Sequence, residues 1–276
     1  MNAVGPARVF TLGMALLAVC TAGSVIHAAQ QNPKPGPGRV WLIFLDDLHV
    51  DFRSTGRLRT LIKTIAGELI ADGDLSAMLS TGPSSIAVDP SPDRAVVLKR
   101  VGQATGSSMA PPDVVRIRDS GFPSEEVYYR ALVSMTTASD AVRGLERLQA
   151  PGKALIYLSA GYGIEPLPDG SLVVPGPLGL PKFPAHHPTV ADMQQRFAEL
   201  VTAARRAGVP VFAIDTRRLR IPADIDPVED TPQWLRYRAN TRASLRALSE
   251  RTGGVAVMEE QDLEAGLATI ARAMRR

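Results

Sequence analysis

Val40-Trp41-Leu42-Ile43-Phe44-Leu45-Asp46-Asp47-Leu48-His49-Val50-Asp51 is the stretch whose reading decides the fold. Six apolar residues run without interruption into three carboxylates and an imidazole. An apolar run of this length and β-rich composition is buried on both faces, as the central strand of a parallel sheet is. Ligands of open α/β sheets bind outside the carboxyl ends of the strands, where the strand order reverses. Asp46 and its neighbours therefore stand at the expected crevice.

The pattern downstream is consistent with that placement. Leu58, Leu61, Ile62, Ile65, Ala66, Leu69 and Ile70 form one helical stripe. Leu75 to Ser80 reads as a second strand and Ser84 to Val88 as a third. Thr81-Gly82-Pro83 is turn chemistry, so these two are expected to form a hairpin with an antiparallel edge strand. Ser91-Pro92-Asp93 reads as a helix start with serine as the cap. Gly102 to Pro123 is loop-like, with Val114 to Ile117 as a short extended piece, and Ser124 caps a long helix through Leu145.

Lys153 to Ser159 is the next apolar strand. Tyr162 to Pro188, with seven prolines and four glycines, continues no regular element. Thr189 caps a helix that Gly208 ends, Val209 to Ile214 is a strand, and Thr216 to Pro232 is a second loop. A helix from Gln233 to Arg251, a strand from Val255 to Met258 and a closing helix through Met274 complete the chain. Strands alternating with helices predict an α/β fold: a doubly wound, mostly parallel sheet with helices on both faces.

Upstream, Arg8 precedes an apolar stretch from Val9 to Val19, and small residues lead to Ala28-Ala29. This reads as a signal peptide over 1–29, a tether over 30–39 and one domain over 40–276. The apolar core is shorter than the ~20 residues of a membrane span, so no membrane segment is expected after cleavage. Cys20 is the sole cysteine, and Val19 sits where a lipoprotein signal needs a small residue. The expected location is secreted or periplasmic, without a lipid anchor. A chain cut after Ala29 holds no disulfide, so packing must stabilise it. A formal charge of +3 is too small to argue for nucleic acid.

The order of these pieces resembles the von Willebrand factor A domain, in its bacterial secreted branch. Leu42 to Asp47 resembles the family's first strand, Gly152 to Ser159 its fourth, Val209 to Asp215 its fifth, and Leu248 to Gly254 the approach to its sixth. The resemblance implies a Rossmann-like fold and, in many members, a divalent cation held by Asp-x-Ser-x-Ser, a threonine and a second aspartate. Asp46 matches the first aspartate, but Leu48 and Val50 stand at the serine positions and Ala160 where the second aspartate is expected. Ser120 and Ser124 are the candidates for the threonine. The site is thus degenerate, and no cofactor is the leading expectation. A rebuilt acidic site for Mg²⁺ or another divalent cation, using Asp46, Asp47, His49, Asp51 and Ser159, is the alternative. Asp47, His49 and Asp51 share a side if the chain stays extended. The simpler reading has Asp46 capping backbone amides while the others face water.

Ser159-Ala160-Gly161 is half of a nucleophile elbow, with Tyr157 where the motif needs glycine. Acids stand where a phosphate would need amides. A hydrolase is therefore the third reading, and His186-His187 alone is weak evidence for a metal. The leading expectation is a non-enzymatic module that binds an as yet unknown protein at the crest of the sheet, with Tyr162, Leu167, Val173, Leu178 and Phe183 as contact residues. Export of the full chain should leave a mature N-terminus close to Gln30, read by N-terminal sequencing of the extracytoplasmic protein. A diacylated Cys20 would contradict this.

Overall fold

The computed structural model describes residues 38–114, 125–164, 190–221, 223, 225–258 and 263–274. Six strands form one sheet in the order β3-β2-β1-β4-β5-β6: β1 Val40–Leu45, β2 Leu75–Ser80, β3 Ala87–Ser91, β4 Lys153–Ser159, β5 Val211–Asp215 and β6 Ala256–Val257. All neighbours are parallel except β2 and β3. The helices are α1 Thr55–Leu69, α2 Arg94–Arg100, α3 Glu125–Glu146, α4 Val190–Arg206, α5 Pro232–Thr252 and α6 Leu263–Ala273. This is the expected doubly wound, mostly parallel arrangement, antiparallel edge included.

Period-two alternation in β1 divides the interior into two layers. Trp41, Ile43 and Leu45 pack with the apolar stripes of α1, α2 and α6. Val40, Leu42 and Phe44 pack with those of α3, α4 and α5. No residue of β1 is more than 3% exposed, as its unbroken apolar run requires.

Several boundaries differ from the sequence reading, each for a local reason. The third strand begins at Ala87 rather than Ser84, because Thr81 and Ser84 are drawn away to the Asp47 carboxylate. Asp93, not Ser91, caps α2 by accepting the Ala95 amide at 2.9 Å; Ser91 ends β3. The Val209 amide is still bonded to Ala204 of the preceding helix, and Pro210 offers no donor, so β5 starts at Val211. Val114, expected in an extended piece, lies in a helical turn with its amide on the Ala110 carbonyl. The expected caps Ser124 and Thr189 lie outside the described residues. Gly253 closes α5 at φ +82°, and a Cβ on Gly254 would run into the Val211 carbonyl, which accounts for the paired glycines.

The amino end of the sheet is held by one buried carboxylate. Asp74, 5% exposed, accepts the indole N–H of fully buried Trp41 at 2.9 Å. It also accepts the Arg39 amide at 2.8 Å, the Arg39 guanidinium and the Ala71 amide. Burial favours the neutral acid, but these donors outweigh it and hold the Asp74 carboxyl below its ordinary value of 3.8. Asp74→Ala leaves the indole N–H unpaired and should cost about 2–3 kcal/mol at neutral pH in urea unfolding. A depressed carboxylate pKa stabilises above the unfolded value and loses that contribution as pH falls through the folded one. The gap between wild type and Asp74→Ala should therefore narrow as pH falls below 3.8.

Candidate functional site

At the carboxyl end of β1 the Asp46 amide still bonds to Leu158 of β4, and the chain then folds into a 3₁₀ turn over Asp47–His49. The segment does not stay extended, so Asp47, His49 and Asp51 do not share a side. The turn brings His49 back over Asp46, with Nδ1 2.9 Å from Oδ1. Asp47 turns the other way. It accepts the Thr81 hydroxyl at 2.7 Å and the Ser84 amide at 2.8 Å, while its carbonyl accepts the amide and hydroxyl of Ser107. Asp51 accepts the Arg53 amide and guanidinium and lies 3.4 Å from Arg220 Nε. Two of the four acidic and imidazole candidates are thus brought together, Asp46 and His49, and Ser159 joins them.

Asp46 is fully buried, and its partners are side chains rather than the backbone amides the simpler reading expected. Oδ1 accepts the Ser134 hydroxyl at 2.6 Å, and the Thr81 hydroxyl lies 3.4 Å away. Oδ2 accepts Ser159 at 2.7 Å and the Tyr162 hydroxyl at 2.9 Å. Burial alone would raise the Asp46 pKa; the charge and hydrogen bond of His49, with the Ser134 and Ser159 hydroxyls, outweigh it and hold the carboxyl below its usual range. The Tyr157 and Tyr162 hydroxyls touch each other, and burial next to the Asp46 charge pushes both phenols well above their ordinary pKa.

Tyr162 was expected on a partner surface, but it is 1% exposed. Gly161 makes this possible: at φ +78° it passes where any Cβ would strike the Thr241 carbonyl of α5. The chain then delivers Tyr162 beneath His49, edge to face at 5.0 Å, with its amide on Ser244. Leu167, Val173, Leu178, Phe183, His186, His187, Ser120 and Ser124 lie outside the described residues. Ser134, Thr81 and Tyr162 are the members of the network that sequence reasoning missed. The available signal for Ser134 was a hydroxyl on the inward stripe of α3, beside Ala131 and Ala138.

A second buried carboxylate ends β5. Asp215 accepts Nε and Nη2 of Arg217 at 3.0 and 3.1 Å and Nε of Arg242 at 3.0 Å. Between the two centres opens a cleft lined by His49, Arg130, Arg217, Arg220, Trp234 and Tyr237, with Met109 and Val127 among its apolar walls. Of the groups around Asp46, His49 alone lines it.

This donor set does not fit a divalent cation. Such ions take six or more oxygens, and here the carboxylate is already met by three hydroxyls and an imidazole. Among the described residues no three His, Cys, Asp or Glu are grouped as a metal site needs.

The chain is similar in fold to the von Willebrand factor domain of the type V pili tip protein Mfa5 from Porphyromonas gingivalis. That likeness has a TM-score of 0.48 and 11% identity over 87% of this chain and 95% of that one. A structure of three N-terminal domains of the same protein aligns with a TM-score of 0.45 and 11% identity, over 84% of this chain and 48% of that one. No protein-family model matches the chain, and no curated protein matches it in sequence. The roles of the site residues rest on their own geometry.

Tyr162→Phe and Ser159→Ala each remove one donor from Asp46 Oδ2 and should each cost about 1–3 kcal/mol in urea unfolding. Because both serve one oxygen, the double variant should depart from additivity by about 0.5 kcal/mol or more. Strict additivity would show that the two hydroxyls do not act on a common group.

Proposed function

We propose that this chain is an exported, non-enzymatic interaction module that binds another protein across the carboxyl-end crest of its sheet. The observation that supports this is where apolar surface is left in water. Phe52, Tyr129, Ile221, Ile225 and Leu235 are five of the six exposed large apolar side chains among the described residues, and Phe52 is 69% exposed. All five lie in loops after β1 and β5 or in the opening turns of α3 and α5, which is the crest. Leu98 of α2 is the sixth. Scattered apolar exposure is ordinary; its placement on the loops and helix starts at one end of the sheet supports an interaction face there. The cleft also offers arginine, tryptophan and tyrosine, the residue types that anchor interfaces.

A hydrolase has less support. Ser159, the serine of the half elbow, is fully buried, with its hydroxyl given to Asp46 and its oxygen accepting the Gly161 amide. Ser134 lies 3.5 Å from His49 Nδ1, the nitrogen already held by Asp46, and so is poorly placed to yield a proton to it. Export accords with the leader-like 1–29 segment, and no helix among the described residues is long and apolar enough to cross a membrane. Leu167, Val173, Leu178 and Phe183, which we also propose as partner contacts on the strength of their apolar character in the sequence, lie outside the described residues.

The test is capture from an extracytoplasmic extract by wild type, by a Phe52→Ser/Leu235→Ser variant and by a Leu98→Ser control. Circular dichroism should show all three folded. Capture should be lost in the crest variant and kept in the control. Equal capture by a folded crest variant would place the interaction elsewhere.

A further inference from the structure

We propose that His49 stands in place of a cation at the centre of this crest, so that the Asp46 site is built and held without a divalent ion. The inference concerns the same crest as the interaction reading and rests on it for functional meaning, but its test needs no partner, so either can fail alone.

Three observations carry it. The first is saturation. A carboxylate offers about four lone-pair directions, and four side-chain groups occupy them: the Ser159 and Tyr162 hydroxyls on Oδ2, and the Ser134 hydroxyl with the His49 imidazole nitrogen on Oδ1. A cation can reach either oxygen only by displacing one of them. The second is the identity of the neighbours. Leu48, Val50 and Ala160 offer no side-chain oxygen. Asp47, the nearest carboxylate in sequence, is committed to Thr81 and Ser84. Asp51 is committed to Arg53 and Arg220.

The third is that the imidazole is held on more than one side. The 3₁₀ turn fixes its backbone through the His49 amide on the Asp46 carbonyl at 3.0 Å, and Tyr162 packs edge to face against the ring. Turning the ring out to admit an ion would also disturb Tyr162, whose hydroxyl serves Asp46 and whose amide is bonded to Ser244. His49 thus gives the buried carboxylate the favourable partner that an ion would supply. It is also the one member of the network that a molecule in the cleft can touch.

The test compares thermal unfolding of wild type, His49→Ala and Asp46→Asn in chelator and in millimolar Mg²⁺, Ca²⁺ or Mn²⁺. Wild type should melt at the same temperature in every condition, and His49→Ala should melt several degrees lower. A rise of a few degrees for wild type in any of these ions, absent in Asp46→Asn, would overturn the assignment, as would a His49→Ala variant as stable as wild type. Stabilisation that persists in Asp46→Asn comes from another site and leaves the assignment standing. Should a variant fail to fold, wild type alone decides through the NMR signals of the His49 ring under Mn²⁺ titration. Sharp signals support the assignment, and paramagnetic broadening at stoichiometric Mn²⁺ overturns it.

Discussion

A carboxylate taken out of water must be met by donors, because an unpaired buried charge costs more than a small domain can spare. Asp46 stands under that constraint, fully buried at the end of the central strand. Its partners come from the 3₁₀ turn after β1, the middle of α3, the end of β4 and the segment after it. Four parts of the chain are thereby tied to two oxygen atoms. The crest has its shape because these segments must converge there, and the Asp215 centre, with Arg217 and Arg242, repeats the arrangement at the end of β5.

The same constraint explains which features could be read from the sequence. Periodicity reports which side of an element is buried, so β1, β4, the six helices and the antiparallel hairpin were legible from the spacing of Val, Ile, Leu and Ala. It does not report which distant hydroxyl a buried acid will meet. Ser134 lies 88 residues from Asp46 and Tyr162 lies 116 away, and nothing local links them. Tyr162 opens a proline-rich stretch, and its composition suggested a surface role. The decisive local feature was Gly161, whose left-handed backbone turns the chain inward. The extended reading of Asp47 to Asp51 failed because three residues closed a 3₁₀ turn, a difference too short for any periodicity to register.

The crest also separates two kinds of polar group. Asp46, Asp215, Ser134 and Ser159 are buried and bonded within the domain, so they build the surface without forming it. The groups that reach the cleft are the larger amphipathic ones, His49, Arg130, Arg217 and Tyr237. Several of these are already engaged from behind: Arg217 holds Asp215 and Thr241, and Arg130 donates to the carbonyls of Leu48 and Ser107. Ordering them before contact lowers the entropy lost when a surface of this kind is covered.

The strand β1 is clasped at both ends, by Asp74 through Arg39 and Trp41 at one and by Asp46 at the other. It lies between two parallel neighbours along its whole length. Tension applied along the chain ahead of Gly38 would load both ladders in shear, with many hydrogen bonds sharing the force at once. Tension applied beyond α6 meets that helix, packed through Leu267 and Ile270, and then β6, two residues long and, among the described residues, paired on one side. That edge can be peeled off pair by pair. Under tension between its two ends, the carboxyl-terminal edge would therefore give way before β1.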